Sequence, residues 1–123
     1  MLCPDGSYLC YPQFKIEDDG QFSFMEVNSF TRKWGRSYTH SGKLFNNIVQ
    51  GGSRNVFCNS YAPAEAAGFQ IVLRVHDELC TEVPDDDTHT VEQLCAIMST
   101  VPTWAMGLPL AAAGYSSYRY KKG

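Results

Sequence analysis

Residues 69–84 read FQIVLRVHDELCTEVP, and this stretch decides which kind of fold the chain can adopt. The runs FQIVLRV and LCTEV have the composition of strands, and His76, Asp77 and Glu78 stand between them. So short a connection predicts an antiparallel hairpin with three ionisable side chains at its tip. Side chains alternate along a strand, so two faces are expected. One would carry Phe69, Ile71, Leu73 and Val75, and the other Gln70, Val72, Arg74 and His76.

The segments before this hairpin predict a second hairpin and a long helix. SYLCYP (7–12) and QFSFMEV (21–27) read as paired strands, with EDDG (17–20) as a turn between them. FTRKWGR (30–36) is expected to be irregular. The periodic segment 41–68 predicts a helix that Ser41 caps, Pro63 kinks or breaks and Gly68 ends. Gly51 and Gly52 inside it indicate that something approaches the helix backbone closely.

After the hairpin, a shorter helix and a last strand are expected. Residues 84–100 read as a turn and a helix, with Thr90 and Gln93 as a capping box or Asp87 as an alternative cap. LAAAGYSSYRY (110–120) predicts a strand, and KKG a basic tail. The element order indicates an α+β fold, with antiparallel hairpins, one long and one shorter helix, in a single domain over 1–123.

Composition restricts the classes of function. The net charge of −3 argues against a stand-alone nucleic-acid binder held by charge alone. Five cysteines without a C-x-x-C pair argue against a zinc site or a disulfide framework, and Cys58, Cys80 and Cys95 are expected in the core. No apolar stretch reaches the roughly 18 residues that span a bilayer, and no signal-peptide pattern opens the chain. These features predict a cytoplasmic protein without a membrane partner.

The adjacent carboxylates of Asp77 and Glu78 raise a chemical question. Like charges held on a rigid turn repel unless a cation compensates them, and oxygen ligands of this kind suit Mg²⁺. The alternative is a solvated turn with no ligand. A two-metal phosphoryl-transfer site needs carboxylates from more than one element. The acidic run Asp85–Asp87 precedes a helix and is expected to form a turn and a cap.

Several stretches together resemble one family. VHDE between two strands resembles the C-terminal palm carboxylate motif of family A (Pol I-like) DNA polymerases. GKLFNNIVQGGSRNVF resembles their palm helix with an N-x-x-x-Q pattern, and MLCPDGSYLCYP resembles the L-P-S-G-R-x-L-x-Y-P stretch of phage members. RKWGR, AGFQIVLRVHDELCTEVP and PTWAMGLPLAAAGYSSYRYKK continue the resemblance in the same order. The resemblance covers nearly the whole chain and is nearest to phage-type polymerases.

The resemblance implies roles for particular residues. Asp77 would bind the catalytic Mg²⁺, and Glu78 would lie beside it. His76, Asn46 and Gln50 would contact the primer–template DNA, with dNTP as the other substrate. Asn46 and Gln50 are four residues apart and therefore share a helix face, where their amides can donate to minor-groove acceptors. Further DNA contacts are expected from Asn47, one residue off that register, from Arg54, one turn beyond Gln50, and from Lys43. The resemblance also offers a DNA duplex as the group that approaches Gly51 and Gly52, with a crowded helix–sheet contact as the alternative.

The chain also departs from the family pattern. The family's other catalytic Asp and its R-x-x-x-K fingers helix have no match here, so the site is expected to be incomplete. This predicts a C-terminal palm piece that does not polymerise alone: a split-gene product that needs an upstream polymerase fragment, a prophage remnant, or an engineered piece. A non-catalytic remnant that binds DNA or a protein is the alternative function. A metal-dependent phosphohydrolase is a third reading, for which further ligands are not found.

Basic and aromatic residues alternate ahead of the long helix. Arg32, Lys33, Arg36, His40 and Lys43 accompany Trp34 and Tyr38. They form either a phosphate-contacting surface or an ordinary solvated loop. Trp34 and Trp104 are expected to be core or loop anchors, not base-stacking platforms.

A palm piece without its neighbouring strand should expose a sheet edge or an apolar surface, and such surfaces recruit partners. We therefore expect the chain to self-associate as a homo-oligomer or by strand exchange. Light scattering over a range of concentrations measures this, and a monomer that persists at high concentration would contradict it.

Overall fold

The computed structural model describes residues 1–121, so the last two residues of the KKG tail lie outside the described part. The chain forms two compact units, the first Met1–Ser53 and the second from Arg54 onward. Both units contain antiparallel strands and helical segments, so the α+β class is confirmed. In the described residues, no helix is long and apolar enough to span a bilayer.

The first unit contains a three-stranded antiparallel sheet in the order β1-β2-β3. The strands are β1 (Lys15–Ile16), β2 (Phe22–Val27) and β3 (Trp34–Thr39). The EDDG turn is confirmed, with Gly20 at φ +81° donating its N–H to the carbonyl of Glu17 at 2.9 Å. The predicted pairing of residues 7–12 with β2 is wrong. Residues 7–12 contribute one isolated bridge, Leu2 with Tyr8, and β2 pairs with β1 and β3.

The β2–β3 connection shows why FTRKWGR, predicted to be irregular, enters a strand at Trp34. The Asn28 side chain accepts hydrogen bonds from the N–H groups of Phe30 and Thr31, both at 2.9 Å. Arg32 adopts φ +56°, and its N–H donates to the carbonyl of Asn28 at 2.9 Å. A side-chain cap and a left-handed arginine therefore close a turn that contains no glycine, so the usual sequence signal of a hairpin is missing.

Aromatic side chains form the core of the first unit. Phe24 is buried and meets the Tyr11 ring edge-on, with ring centroids 5.0 Å apart. Phe14 lies against Phe22 at 5.5 Å. Cys3 is buried too, whereas Cys58, Cys80 and Cys95, the cysteines predicted for the core, are half-buried.

The predicted long helix is two helices, α1 (Ser41–Cys58) and α2 (Tyr61–Ala66). His40, and not Ser41, caps α1: its carbonyl accepts from Leu44 N–H at 3.1 Å and its Nδ1 from Lys43 N–H at 3.3 Å. The break comes four residues before Pro63, because proline has no N–H to donate to the carbonyl of Asn59. Pro63 lies instead in the first turn of α2, where a missing N–H is tolerated.

Gly68 ends α2 as predicted, at φ +89°. Its N–H donates to the carbonyl of Glu65, and Phe69 N–H donates to that of Ala64, both at 3.0 Å. This is the Schellman pattern, which needs a left-handed residue after the helix. The buried Phe69 ring then packs edge-on against the imidazole of His89, with centroids 5.2 Å apart.

The rest of the second unit contains a two-stranded sheet and one more α-helix. The elements are β4 (Gln70–Val75), β5 (Glu78–Glu82) and α3 (Val91–Met98). The capping box of Thr90 and Gln93 is confirmed. The predicted strand over 110–120 is wrong, because no regular strand forms there. In that segment the N–H of Ala112 donates to Ser99 Oγ at 3.0 Å, a side-chain partner in place of a strand ladder.

Replacing Gly68 by alanine should lower the free energy of unfolding by about 1–3 kcal/mol. Gly68 has φ +89°, and a β-carbon built there would stand 2.5 Å from Nε2 of His89. The matched control is Gly52→Ala in α1, where a β-carbon meets nothing within 4 Å in the described structure and should add up to about 1 kcal/mol. Urea unfolding followed by circular dichroism compares the two variants. Equal effects of both would contradict the Schellman reading.

Candidate active-site hairpin and candidate DNA-facing helix

The β4–β5 turn concentrates the ionisable residues singled out from the sequence. Val75 pairs with Glu78, so only His76 and Asp77 connect the strands. His76 has φ +53°, a left-handed conformation in which histidine is rarer than glycine. Positive φ at the first central position is a feature of the primed hairpin turns, whose twist matches the flanking strands. The strand pairing therefore holds His76 in a strained conformation at the tip.

A β-bulge at Val72 changes the two faces of this hairpin. Ile71 pairs with Thr81 and Leu73 with Cys80, so two steps on β4 match one step on β5. The predicted simple alternation is therefore wrong, because a bulge shifts the side-chain parity by one residue. The resulting faces are Leu73, Val75, Glu78 and Cys80 on one side, and Ile71, Arg74, Leu79 and Thr81 on the other.

The three tip residues differ in exposure. His76 and Asp77 are exposed, whereas Glu78 is half-buried. The Tyr120 hydroxyl donates to Oε2 of Glu78 at 3.4 Å. Burial, with the negative charge of Glu78 as a further cause, raises the pKa of Tyr120. The Glu78 carboxylate thus has a protein partner, while the carboxylate of Asp77 is open to solvent.

The Tyr120 contact was not predicted from the sequence, because 42 residues separate the two partners. A second tyrosine of the same segment makes a similar contact, since the Tyr118 hydroxyl donates to Oδ2 of Asp85 at 3.1 Å. The tyrosines of YSSYRY were the only available signal, and this segment was predicted to be part of a strand. The segment instead places tyrosine hydroxyls on acidic side chains.

Arg74 lies on the face opposite to Glu78. Its guanidinium carbon stands 5.3 Å from the ring centroid of Tyr61, a cation–π contact. Burial raises the pKa of Tyr61, and a hydrogen bond with Cys58 contributes to the same direction. Arg74 is thereby associated with α2, and the hairpin separates a cationic face from the carboxylate face.

The acidic run before α3 forms a turn, as predicted, although Thr90 and not Asp87 caps the helix. Hydrogen bonds from the hydroxyl and the N–H of Thr88 lower the pKa of Asp86. Across residues 1–121, no three His, Cys, Asp or Glu side chains are close enough together to hold a metal ion. The hairpin therefore offers two adjacent carboxylates, and the described chain does not add a third ligand of these types.

Helix α1 presents the predicted DNA-contacting residues. Asn46 and Gln50 are both exposed and lie one turn apart on one face, and Lys43 and Arg54 are exposed as well. Asn47 is half-buried and donates its amide to the Tyr11 hydroxyl at 2.8 Å. Asn47 thus has a structural contact that its neighbour Asn46 lacks, which distinguishes the two asparagines.

The two glycines of α1 differ in their surroundings. A β-carbon built on Gly51 would meet the side chains of Leu9 and Cys3 at 3.6–3.7 Å, which is ordinary packing. One built on Gly52 meets nothing within 4 Å in the described structure. The surroundings of Gly51 thus match the alternative in which another part of the protein packs against the helix. Gly52 leaves an open patch on the helix.

One comparison with known proteins gives a clear relative. The chain is 37% identical over 123 residues to a protein named DNA polymerase from Bacillus phage SP02. The chain is related to a phage DNA polymerase. The match covers 97% of the chain and 19% of the length of that polymerase. No protein-family model matches the chain, and no solved structure matches it.

Replacing His76 by glycine should raise the free energy of unfolding by about 0.5 kcal/mol. Relief of the left-handed strain, about 1–2 kcal/mol, exceeds the added chain entropy of glycine, about 0.5–1 kcal/mol. The neighbouring Asp77→Gly is the matched control, because Asp77 is not among the residues with positive φ and glycine should destabilise there. Urea unfolding in EDTA excludes metal effects. If His76→Gly lowered the free energy of unfolding as much as Asp77→Gly does, His76 would not be strained.

Replacing Glu78 by glutamine should lower the pKa of Tyr120 toward its ordinary value, because a neutral amide no longer disfavours the phenolate. Part of the rise should remain, since burial is its first cause. NMR titration of ¹³Cζ-labelled tyrosines follows each ring. Tyr118, whose partner is Asp85, serves as the internal control. An unchanged Tyr120 pKa would show that the hydroxyl does not sense Glu78.

Proposed function

We propose that this chain is the C-terminal palm segment of a phage-type family A DNA polymerase and works in DNA replication as part of a larger or split enzyme. The reaction is attack of a primer 3′-hydroxyl on the α-phosphate of a dNTP, with release of pyrophosphate. The observation that carries the proposal is the 37% identity to a phage DNA polymerase over 97% of the chain. The hairpin supports it, because its two-residue turn displays His76 and Asp77 directly before Glu78.

The donor set of the hairpin fits Mg²⁺ in part. Two consecutive carboxylates supply hard oxygen ligands, and Mg²⁺ commonly takes one or two carboxylates and completes its shell with water and phosphate oxygens. Asp77 would be the main ligand, because it is exposed at the tip, and Glu78 would support it. A second catalytic Asp would come from an upstream segment. When bound, Mg²⁺ would stabilise the negative charge that develops on the transferring phosphate.

The exposed face of α1 fits a primer–template duplex. The amides of Asn46 and Gln50 would donate to minor-groove acceptors, which A·T and T·A pairs present alike. Such contacts test base-pair geometry without reading the sequence. Lys43 and Arg54 would contact phosphates, and His76 would contact DNA near the primer terminus. Asn47 would act indirectly, since its amide bonds Tyr11.

An upstream polymerase fragment is the proposed protein partner. Within the described residues, β4 and β5 pair only with each other, so each strand has one edge without a strand partner. Val72 and Leu73 are exposed on this small sheet. Exposed edges and apolar side chains favour addition of another strand, from that fragment or from a second copy of the chain. A cytoplasmic location in a bacterium or phage-infected cell accords with this role.

Reconstitution tests the catalytic proposal. We expect no primer extension by the purified chain alone, and Mg²⁺-dependent extension when the upstream part of a related phage polymerase is added. Asp77→Ala should reduce the restored rate by roughly 100-fold or more, because a metal ligand is lost. Asp87→Ala removes an equal charge outside the hairpin and should leave the rate unchanged.

The other outcomes separate the alternatives. Robust extension by the isolated chain would contradict the incomplete site. Failure of every upstream fragment to restore extension, with DNA binding intact, would favour a non-catalytic remnant of a prophage polymerase. Mg²⁺-dependent nuclease activity that Asp77→Ala removes would favour the phosphohydrolase reading.

A further inference from the structure

One face of the β1-β2-β3 sheet carries exposed aromatic side chains. Strand register puts Trp34, Arg36 and Tyr38 on the same side of β3, opposite to the face that carries Phe22 and Phe24. Trp34 is 57% exposed and Tyr38 is 60% exposed. The expectation that Trp34 is a core or loop anchor is therefore wrong, because it is exposed on the outward face of a strand. We call Trp34, Arg36 and Tyr38 the aromatic face.

Arg36 lies between the two aromatic residues on β3, and hydrogen bonds to the protein fix its guanidinium. Its Nη1 donates to Ser23 Oγ at 2.8 Å and to the carbonyl of Gln13 at 3.3 Å. Ser23 is fully buried, and its hydroxyl donates in turn to the Glu17 carboxylate. These bonds hold the guanidinium on the sheet surface before any ligand arrives. A ligand that stacks there loses less side-chain entropy than on a free arginine.

The charge around the aromatic face is favourable to a polyanion. No Asp or Glu occurs between Glu26 and Glu65, although the whole chain has a net charge of −3. Arg32 and Lys33 lie in the loop that leads into β3, and Lys15 pairs with Ser23 and so shares the outward side of the sheet. The carboxylate of Glu17, which accepts from Ser23, stands against the four cationic side chains Lys15, Arg32, Lys33 and Arg36. The balance of these side chains is cationic, although the whole chain is acidic.

Stacking distinguishes among polyanions. Bases within a duplex are already stacked on one another, so their flat surfaces are not accessible. Bases of a single strand are free to stack on aromatic rings and guanidinium planes, and cationic side chains follow the phosphates. Trp34, Arg36 and Tyr38 recur at every second residue of one strand, about 6.6 Å apart, so each offers a separate stacking surface.

We propose that the aromatic face binds single-stranded DNA, with bases stacked on Trp34 and Tyr38 and phosphates held by Lys15, Arg32 and Lys33. This site goes beyond the proposed polymerase function, because it uses neither the hairpin carboxylates nor the Asn46–Gln50 face of α1. The strand can come from two sources, a free single strand or the unpaired template overhang of a primer–template.

Fluorescence anisotropy of the full chain with a labelled dT12 oligonucleotide tests the site at low salt. Trp34→Ala and Tyr38→Ala should each weaken binding by roughly tenfold, in line with loss of one stacked base. Tyr38→Phe keeps the ring and should retain near wild-type affinity. Phe45→Ala is the matched control, since Phe45 is an exposed aromatic residue of the first unit that lies on α1. Circular dichroism checks the fold of each variant.

The salt dependence tests the cations. Lys33→Gln should reduce the slope of log affinity against log salt concentration by about 0.7, the value for one phosphate contact to a single strand. A Lys33→Gln variant with the same slope as the wild-type chain would contradict a phosphate contact by Lys33.

Three DNA substrates separate the sources. Free dT12 and a duplex with a 5′ overhang should both lose affinity in Trp34→Ala, and a higher affinity for the overhang would identify the template as the source. Blunt duplex binding should be insensitive to Trp34→Ala.

Two results would overturn the proposal. One is a wild-type chain that binds no single-stranded DNA, and the other is a Trp34→Ala Tyr38→Ala double variant that binds it with wild-type affinity. The Asp77→Ala variant should bind dT12 with wild-type affinity. Loss of primer extension therefore tests the proposed polymerase function, and loss of dT12 binding tests the aromatic face.

Discussion

The pairing of Val75 with Glu78 is the constraint on which the candidate active site depends. It leaves two residues to reverse the chain, and so tight a reversal requires a left-handed residue that compensates for the right-handed twist of the strands. His76 accepts this conformation at φ +53°. Asp77 is then at the apex and Glu78 is the first residue of β5. The register of one residue pair thus arranges three ionisable side chains.

The same register sets the two faces of the hairpin next to the turn. Glu78 shares a face with Val75 and Cys80, while Arg74 lies on the other face, with Tyr61 of α2. The Val72 bulge changes the parity only before Leu73, so Ile71 lies on the Arg74 face. Tyr120 reaches the carboxylate and Tyr61 the guanidinium. An arginine beside the Glu78 carboxylate would neutralise its charge within the protein. Because Arg74 lies on the other face, the Glu78 carboxylate has only the neutral Tyr120 hydroxyl as its described partner. Its negative charge therefore remains, as the proposed role beside Mg²⁺ requires.

The first unit shows where local sequence rules succeed. The i,i+4 spacing of Asn46 and Gln50 predicted a shared face, and α1 displays both side chains. Helical geometry is set by bonds between near neighbours, so spacing alone is enough. The β3 strand was missed for the converse reason. Its turn depends on Asn28 bonding two N–H groups and on a left-handed Arg32, neither of which is a standard turn signal.

The sequence by itself determined the α+β class, the two-strand hairpin around HDE, the Gly68 stop, the Thr90 capping box and the exposed pair on α1. Each of these rests on residues within a few positions of one another, where backbone sterics and local hydrogen bonds decide. Only the tertiary structure decided the partners of β2, the bulge at Val72, the exposure of Trp34 and the contact of Tyr120 with Glu78. These depend on pairings between distant parts of the chain, whose energies are small individually and are resolved only when the elements pack together.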